Sequence, residues 1–339
     1  MTPQNQRIVV TGGAGFIGSH VVDLLVAANN RVVVVDTLST GTRRNLSHHL
    51  DSGNDRSHAG RVALVEADVT DGRAMNDVIA DADVVVHMAV ACVRTGIGRP
   101  LHVHEVNVSG TLNVCLAATR NRVGRLVYVS SSQAYGTAQT VPMTEDHPTE
   151  PTTIHGASKL MGETYTMLMA RTYGLPVVIV RLFNSYGPRE PALGTGAEVI
   201  PKFVLRTMAG ARPVVFGSGL QTRDFVWVED SARGIVCAAV SDACLGTVVN
   251  LGRGQEVSIR QLAAKILAIL GRGAESPIFD RRRPGDVERH RADIRRAGRL
   301  LSWHPTVSID EGLRRYIDWL VDSGIDADAW LARDERRNW

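Results

Sequence analysis

A glycine cluster between an apolar strand and an amphipathic helix constrains this chain most strongly. The apolar run Ile8–Val10 leads into Gly13-x-Gly15-x-x-Gly18, and a helical pattern of apolar residues follows. In a strand–turn–helix unit, such glycines let the backbone turn tightly, approach a pyrophosphate and pack the helix against the strand. The N–H groups and positive dipole end of the helix then face the anion. The first unit therefore predicts a dinucleotide-binding fold.

The second predicted strand indicates which dinucleotide is bound. This strand, Arg31–Val35, ends at Asp36. An acidic side chain at this point accepts hydrogen bonds from a ribose diol and repels a 2′-phosphate. The sequence therefore predicts NAD as the cofactor rather than NADP. An ordinary βα turn without a ligand is the less favoured alternative.

Composition narrows the class of protein. A chain of 339 residues with a net charge of +3 gives no indication of nucleic-acid binding. Its four cysteines lie far apart without C-x-x-C spacing, so we expect neither a disulfide framework nor a metal site. The first strand begins almost at once, and no apolar run is long enough to span a bilayer. We expect a cytoplasmic protein with no membrane or nucleic-acid partner.

Strands alternate with helical patterns through the first half, which predicts an α/β fold with a doubly wound parallel (Rossmann) sheet. We expect residues 1–183 to form the NAD-binding domain, with 214–248 returning to it, and 184–339 to form mainly a smaller α/β substrate domain. Residues 42–60 are expected to be loop and short helix. The other predicted elements are strands at 62–65, 84–87, 126–129 and 177–180 and helices at 101–120, 155–173, 199–209, 231–240, 258–270 and 309–321.

Eight segments in order carry a resemblance to a known family. They are Thr11–Gly18, Asn107–Thr111, Ser130–Gly136, Gly156–Leu160, Arg181–Arg189, Gln221–Phe225, Arg283–Asp286 and Pro305–Ser308. Together they resemble the extended short-chain dehydrogenase/reductase family, in its nucleotide-sugar epimerase and dehydratase branch. The resemblance runs over nearly the whole chain, and the order of the motifs makes it specific.

The resemblance implies a reaction on a nucleotide-diphosphate sugar. In such enzymes a sugar hydroxyl, usually at C4, loses a hydride to tightly bound NAD⁺ and a proton to a base. The keto intermediate then rotates, eliminates or decarboxylates, and the hydride returns. The resemblance also implies a homodimer, formed by a four-helix bundle of helices 101–120 and 155–173, although their apolar faces could equally pack on the chain's own sheet.

Site residues follow from the resemblance position by position. The catalytic candidates are Ser131, His155 and Lys159. The candidates for NAD contacts are Gly12, Gly15, Phe16, Ile17, Gly18, Asp36, Ser39, Thr40, Gly41, Asp68, Val69, Met88, Ala89, Val90, Asn107 and Lys159. The candidates for substrate contacts are Ser132, Gln133, Asn184, Val199, Arg223, Arg283 and Asp286.

Several of these candidates have expected roles. Arg223 and Arg283 would clamp the phosphates through bidentate contacts. Asn184 would contact the diphosphate or the sugar, and Asp286 would hold a nucleotide ribose or orient Arg283. Asn107 would bridge backbone groups near the lysine, a structural role as much as a catalytic one.

The chain departs from the family at one catalytic position. The family signature is Tyr-x-x-x-Lys with the tyrosine as base, and this chain has His155 four residues before Lys159. Tyr165 lies ten residues further along the same helix, roughly 15 Å away, and cannot substitute. Positive neighbours keep an imidazole neutral and able to accept a proton, directly or through a Ser131 hydroxyl or a water. His155 is interpreted as an altered general base; the alternative is a site that only binds.

The Ser132-Gln133 pair bears on the type of reaction. Dehydratases and decarboxylases of this branch carry acidic residues here, because elimination needs an acid and a base beside the sugar. Gln133 can hydrogen-bond a hydroxyl but cannot donate and recover a proton near neutral pH. The sequence therefore favours 4-epimerisation. Dehydration, decarboxylation and a catalytically impaired sugar-nucleotide-binding protein remain the alternatives.

Overall fold

The repeated strand–helix units form a parallel sheet. The structure is a computed structural model that describes residues 2–50, 61–283 and 285–336. Its strands there are β1 Arg7–Thr11, β2 Arg31–Asp36, β3 Val62–Glu66, β4 Val84–His87, β5 Arg125–Ser131, β6 Val177–Leu182, β7 Asn184–Tyr186, β8 Val214–Phe216, β9 Thr222–Arg223, β10 Phe225–Trp227, β11 Val248–Leu251, β12 Val257–Ser258 and β13 Ile278–Asp280.

Helices connect the strands. In the described ranges they are α1 Phe16–Ala27, α2 Ser47–Leu50, α3 Gly72–Ile79, α4 Thr95–Gly98, α5 Pro100–His104, α6 Gly110–Arg120, α7 Ile154–Tyr173, α8 Val199–Met208, α9 Val228–Ala238, α10 Ile259–Ile269, α11 Arg295–Leu301, α12 Ile309–Asp322 and α13 Ala327–Arg333. A π-helical turn, Glu105–Ser109, joins α5 to α6. None of the helices in this part of the chain has the length and apolar content that a membrane crossing requires.

The main sheet confirms the predicted doubly wound fold. Within the described residues, seven strands pair in the order β11-β6-β5-β4-β1-β2-β3, and every pairing is parallel. Valine-rich strands such as β1 are buried on both faces, as a parallel sheet covered by helices requires. The order of strands changes direction between β1 and β4, where doubly wound folds bind their ligands.

Two apolar clusters cover the two faces of this sheet. One combines α1 and α9 with the strands, and its residues include Val22, Leu25 and Ile235. The other packs α3, α6 and α7 on the opposite face through residues such as Met75 and Val114. A third cluster lies outside the sheet and is built from residues after 184, on α8, α10, α12 and α13. The chain therefore has a second packed region beside the nucleotide-binding sheet.

Element boundaries differ from the sequence predictions at a few places. The helix predicted over 101–120 begins at Pro100 and contains the π-helical turn, which changes the direction of the side chains around Asn107. Part of the short helix predicted within 42–60 is α2, and 51–60 lie outside the described residues. α3 is not among the helices that the sequence predicts; its N-terminus is capped by the Asp71 carboxylate.

Candidate active site

The glycine turn forms a cradle at the N-terminus of α1. A Cβ atom on Gly12, whose φ is +72°, would lie 2.8 Å from the Ala89 nitrogen, and one on Gly18 would lie 2.2 Å from the Gly12 carbonyl oxygen. Gly15, at the N-cap of α1, has no side chain that could cap the helix. The first residues of the helix, Phe16 and Ile17, carry no charge. The first N–H groups of α1 therefore have no side-chain cap, which fits an anion such as the pyrophosphate of NAD.

Asp36 links this cradle to the loop after β2. Its buried carboxylate accepts hydrogen bonds from the Ala14 nitrogen at 3.0 Å and the Leu38 nitrogen at 2.9 Å. Burial raises the pKa of Asp36. A Cβ atom on Gly41 would lie 2.9 Å from the same carboxylate, so only glycine lets the loop approach so closely. Ser39 and Thr40 lie exposed in this loop.

The loop after β4 lies against the glycine turn. The Met88 and Ala89 nitrogens both donate to the Thr11 hydroxyl, at 3.1 and 3.2 Å. Met88 is buried, while Val90 is exposed. At the end of β3, Asp68 accepts a hydrogen bond from the backbone of Thr70.

Two further candidates for NAD contacts lie buried behind this loop. Val69 packs against Gly110, where an added Cβ would lie 2.5 Å from the valine side chain. The Asn107 amide exchanges hydrogen bonds with the Ala91 backbone at 2.8 and 3.0 Å and donates to the Ser158 hydroxyl at 2.9 Å. Asn107 therefore ties the loop after β4 to α7, the helix that carries the catalytic candidates.

His155 and Lys159 lie on one face of the first turns of α7. The Thr153 hydroxyl caps this helix by accepting a hydrogen bond from the Gly156 nitrogen at 3.0 Å. Burial, together with the charge of Lys159, lowers the pKa of His155 to about 3, and Glu198 partly opposes the shift. Burial also lowers the pKa of Lys159 to about 7. The His155 imidazole is therefore neutral at physiological pH, and the Lys159 amine is partly so.

The surroundings of these two side chains leave one nitrogen available. Within the described residues, the buried His155 Nδ1 has no hydrogen-bond partner. A buried polar atom without a partner is costly, so this nitrogen is suited to meet a bound molecule. The Lys159 Nζ lies 4.6 Å above the centre of the Tyr128 ring, which holds the ammonium in place.

The tyrosines that the structure describes around α7 do not occupy position 155, where the resemblance implies a tyrosine. The Tyr128 hydroxyl donates to the Lys159 carbonyl at 3.3 Å and lies beneath the helix at Gly162, and burial raises its pKa. Tyr165 is 39% exposed on the far side of the helix from the core. Tyr135 is buried and donates to the Asn250 side chain at 2.7 Å. His155 is thus the titratable side chain at the base position.

The turn after β5 packs directly on the start of α7. The Ser131 hydroxyl accepts a hydrogen bond from the Gln133 nitrogen at 3.2 Å, and Ser132 is buried. A Cβ atom on Gly156 would lie 2.3 Å from the Gln133 carbonyl oxygen. Close packing at this glycine brings the turn that carries Ser131 next to the turn that carries His155.

A cationic pocket lies beside these catalytic candidates. Five predicted substrate contacts line it together: Asn184, Val199, Arg223, Arg283 and Asp286. Its charged residues that the sequence analysis missed are Arg94, Glu198, Lys202, Arg206, Asp334 and Arg336. The buried Asn184 side-chain oxygen has no hydrogen-bond partner in the described part of the chain. The pocket thus offers an excess of cations to an anionic ligand.

The two predicted arginines are held in different ways. Arg223 donates to the backbone oxygens of Thr222 and Val287 at 2.7 and 2.8 Å and forms an ion pair with Asp286. Asp286 therefore contacts Arg223, and its charge also acts on Arg283, whose pKa it raises against the lowering by burial. The Arg283 guanidinium lies 5.5 Å from the centre of the Phe216 ring.

Contacts join the pocket to the start of α7. Arg94 forms a bidentate ion pair with Glu198, both distances being 2.9 Å. Two residues further, a Cβ atom on Gly96 would lie 3.4 Å from Ile154, next to His155. A Cβ atom on Gly285 would lie 3.6 Å from the Thr152 carbonyl oxygen. One feature of the sequence could have pointed to Arg94 as a site residue: it is the only charged residue between β4 and α4.

Comparison with known proteins assigns this architecture. The sequence model of the NAD dependent epimerase/dehydratase family matches residues 8–252. The chain belongs to the NAD-dependent epimerase/dehydratase family. The resemblance that the motifs carry is thereby confirmed, and so is NAD as the cofactor, because relatives of known structure are solved with NAD bound.

Relatives of this epimerase/dehydratase chain have different activities at similar identity. A putative UDP-glucose 4-epimerase from Methanocaldococcus jannaschii is 35% identical over 320 residues, which cover 93% of this chain and 99% of that protein. UDP-glucuronic acid decarboxylase 1 from Xenopus tropicalis is 33% identical over 321 residues, covering 93% of this chain and 72% of that protein. The dTDP-glucose 4,6-dehydratase DesIV from Streptomyces venezuelae has a TM-score of 0.85 and 32% identity, with 93% of this chain and 97% of that chain covered.

Proposed function

We propose that this enzyme is an NAD-dependent 4-epimerase of a nucleotide-diphosphate sugar, with His155 as general base in place of the usual tyrosine. One observation carries the proposal: His155 is buried with an unbonded Nδ1 at the start of α7, where Gly96 approaches Ile154 and Gly285 approaches Thr152. The cofactor side and the cationic pocket thus converge on a neutral imidazole. The similarity to a putative UDP-glucose 4-epimerase supports the same assignment.

The cofactor has a defined place in the proposal. NAD, when bound, would supply the hydride acceptor and donor for the reacting sugar carbon. The glycine turn would hold the pyrophosphate at the N-terminus of α1, because an added Cβ on Gly12 or Gly18 would collide with backbone. The Asp36 carboxylate would accept hydrogen bonds from the adenosine ribose, close to Gly41.

The proton of the oxidised hydroxyl is handled by two side chains. His155 accepts it at Nδ1 as the hydroxyl O–H bond breaks, directly or through the Ser131 hydroxyl. Because the pKa of His155 is lowered to about 3, the imidazole passes the proton on to the stronger base. Lys159, with a pKa of about 7, holds that proton until it returns to the sugar oxygen. No net proton is released over the cycle.

The cationic pocket would bind the part of the substrate that does not react. Arg223 and Arg283 would pair with the diphosphate, and the unbonded Asn184 oxygen would accept a hydroxyl hydrogen bond. Val199 and the buried Ser132 would border the ligand. Binding energy from the diphosphate keeps the oxidised intermediate in the site while the sugar presents its other face.

The choice of epimerisation rests on the turn after β5. Dehydration and decarboxylation are the activities of relatives at 32 and 33% identity. Elimination needs a side chain that donates a proton to the leaving group and recovers it. Gln133 and Ser132 cannot do this near neutral pH. We therefore propose epimerisation, in which only the configuration at the oxidised carbon changes.

The assembly and the division of the chain are part of the same proposal. We propose an NAD-binding domain of residues 1–183 to which 214–248 returns, and a mainly substrate-binding region of 184–339. We also propose a homodimer through α7 and the helices at 100–120. Met161 and Leu168, each 47% exposed on α7, support that interface because they lie seven residues apart on one helix face.

Product analysis tests the proposed reaction. The purified enzyme is incubated with UDP-, dTDP- and GDP-hexoses and with UDP-glucuronic acid, and the products are separated by chromatography and identified by NMR. We expect a mixture of C4 epimers with the mass of the substrate. A product that has lost water or carbon dioxide would contradict epimerisation and would indicate the dehydratase or the decarboxylase reaction.

A second candidate function is favoured by the histidine itself. The family base is a tyrosine, so a chain with histidine could bind a sugar nucleotide without turnover. This candidate predicts tight sugar-nucleotide binding with no product from any donor, and a gain of measurable activity in His155→Tyr. Loss of an existing wild-type activity in His155→Phe would exclude it.

A further inference from the structure

A cluster of two imidazoles and a carboxylate lies away from the candidate active site, on the outer surface of the NAD-binding sheet. Asp23 belongs to α1, and His48 and His49 form the middle of α2. Each imidazole places its Nε2 atom 2.8 Å from the same oxygen, Asp23 Oδ1. The three ligand atoms all lie within 4.8 Å of one another. Sequence spacing gave no signal, because Asp23 is 25 residues from His48.

We propose that Asp23, His48 and His49 bind one borderline divalent metal ion of the zinc class. Two imidazole nitrogens and one carboxylate oxygen suit Zn²⁺, Co²⁺ or Ni²⁺, whereas Mg²⁺ and Ca²⁺ prefer oxygen ligands. Ligand atoms around zinc lie about 3.3 Å apart for bonds of about 2.0 Å, so the side chains need to separate only slightly from their present contacts. Water would complete a fourth position.

A neighbouring arginine orients the carboxylate for this role. Arg189 pairs with the other oxygen, Asp23 Oδ2, at 2.8 Å, which leaves Oδ1 directed at the two imidazoles. Groups that hold the outer atom of a metal-binding carboxylate are a usual feature of metal sites. The side chains are partly exposed, His49 by 10%, Asp23 by 28% and His48 by 49%, so an ion can reach them from solvent.

The position of the cluster defines what the ion would do. It joins α1, which begins at the glycine turn, to α2, which follows the loop after Asp36, and it is next to the turn that carries Arg189. An ion there would link α2, on the adenosine side of the cofactor site, to α1. Its role is therefore structural, and it stands independently of the reaction assigned to the enzyme.

Metal titration of tag-free protein tests the proposal. Zn²⁺ is titrated into the full-length enzyme by calorimetry at pH 7.5, and the melting temperature is followed with and without Zn²⁺. We expect one ion per chain and a zinc-dependent rise in melting temperature.

Matched variants separate a metal site from a hydrogen-bonded cluster. His49→Gln keeps a donor for Asp23 but is a poor zinc ligand, and His104→Ala removes an exposed histidine at the end of α5. Each variant is compared with its own zinc-free state, so a loss of basal stability does not affect the result. At least tenfold weaker binding in His49→Gln with wild-type binding in His104→Ala supports the site. Equal binding in all three proteins, or no binding to the wild type, overturns it.

Discussion

At the scale of single residues, the proposed use of His155 in place of a tyrosine base changes which group can hold a proton. A tyrosine must lose its proton to act as a base, whereas a buried imidazole is already neutral. The same burial that keeps His155 neutral lowers its pKa to about 3 and makes it a weak base. The basicity of the site then lies in Lys159, whose pKa of about 7 is close to physiological pH. In the proposed mechanism, the pair would divide the roles that a single phenolate would combine.

The pH profile of kcat/KM should report this division. We expect activity to rise with pH through about 7, as Lys159 loses its proton, and no separate limb near the ordinary pKa of histidine. Lys159→Arg keeps the positive charge at all pH values, and it should remove the limb and lower activity about a hundredfold. A limb that is unchanged in Lys159→Arg would assign it to another group.

Two arginines that lie close together in the sequence, Arg281 and Arg283, provide a matched test of substrate binding. Arg283 lines the cationic pocket, while Arg281 is exposed two residues away. We expect Arg283→Ala to raise KM about tenfold or more with a smaller effect on kcat, because the diphosphate contact is made before and during the reaction. Arg281→Ala is the control and should behave as wild type. Equal effects in both variants would indicate long-range electrostatics instead.

At the scale of elements, the site depends on contacts that hold α7 against the loop after β4. Asn107 makes three of these hydrogen bonds from the π-helical turn before α6, where the widened backbone directs it toward Ala91 and Ser158. The glycine at 156 lets the Ser131 turn pack on the same helix. The catalytic geometry is thus set by neighbouring elements as well as by α7 itself.

Removal of the Asn107 amide should loosen this contact. Asn107→Ala leaves the Ala91 N–H and carbonyl groups buried without their partner, at a cost of about 1–3 kcal/mol in the free energy of unfolding. Chemical denaturation measures the loss. Asn113→Ala, on the more exposed part of α6, should cost less. A smaller loss in Asn107→Ala than in Asn113→Ala would contradict the bridging role.

Local sequence signals explain which parts of the molecule could be predicted. The valine-rich strands and the glycine turn predict the sheet because each is recognised from a pattern within a few neighbouring residues. Arg94, Lys202 and Arg206 enter the cationic pocket from segments that match no motif, so only tertiary packing reveals them. The sequence also could not show that Asp286 pairs with Arg223, because the two residues are distant in the sequence and meet only in the folded chain.

At the scale of the whole molecule, apolar residues remain exposed on α7 after the chain has packed its own sheet. Met161, Tyr165 and Leu168 are 47%, 39% and 47% exposed and occupy one helix face. Buried residues of the same helix, such as Met169, face the sheet instead. The alternative in which the whole apolar face of this helix packs internally is therefore inconsistent with these exposures, and the proposed homodimer would cover them.

Charge introduced on this face should separate the protomers. We expect Met161→Glu combined with Leu168→Glu to convert a dimer into a monomer, measured by light scattering after size-exclusion chromatography. Val321→Glu places the same charge at another exposed apolar residue, 59% exposed on α12, and should leave the dimer intact. A monomeric wild type, or a dimer that survives the α7 substitutions, would exclude this interface.

The most direct test of the account follows one hydrogen atom through the reaction. A nucleotide-diphosphate hexose with deuterium at C4 is incubated with wild-type enzyme and with His155→Phe, and products are examined by NMR. The account predicts a C4 epimer that retains its deuterium with the wild type and no detectable product with the variant. Equal turnover by both proteins, or loss of the deuterium to solvent, would contradict an internal hydride return with His155 as its base.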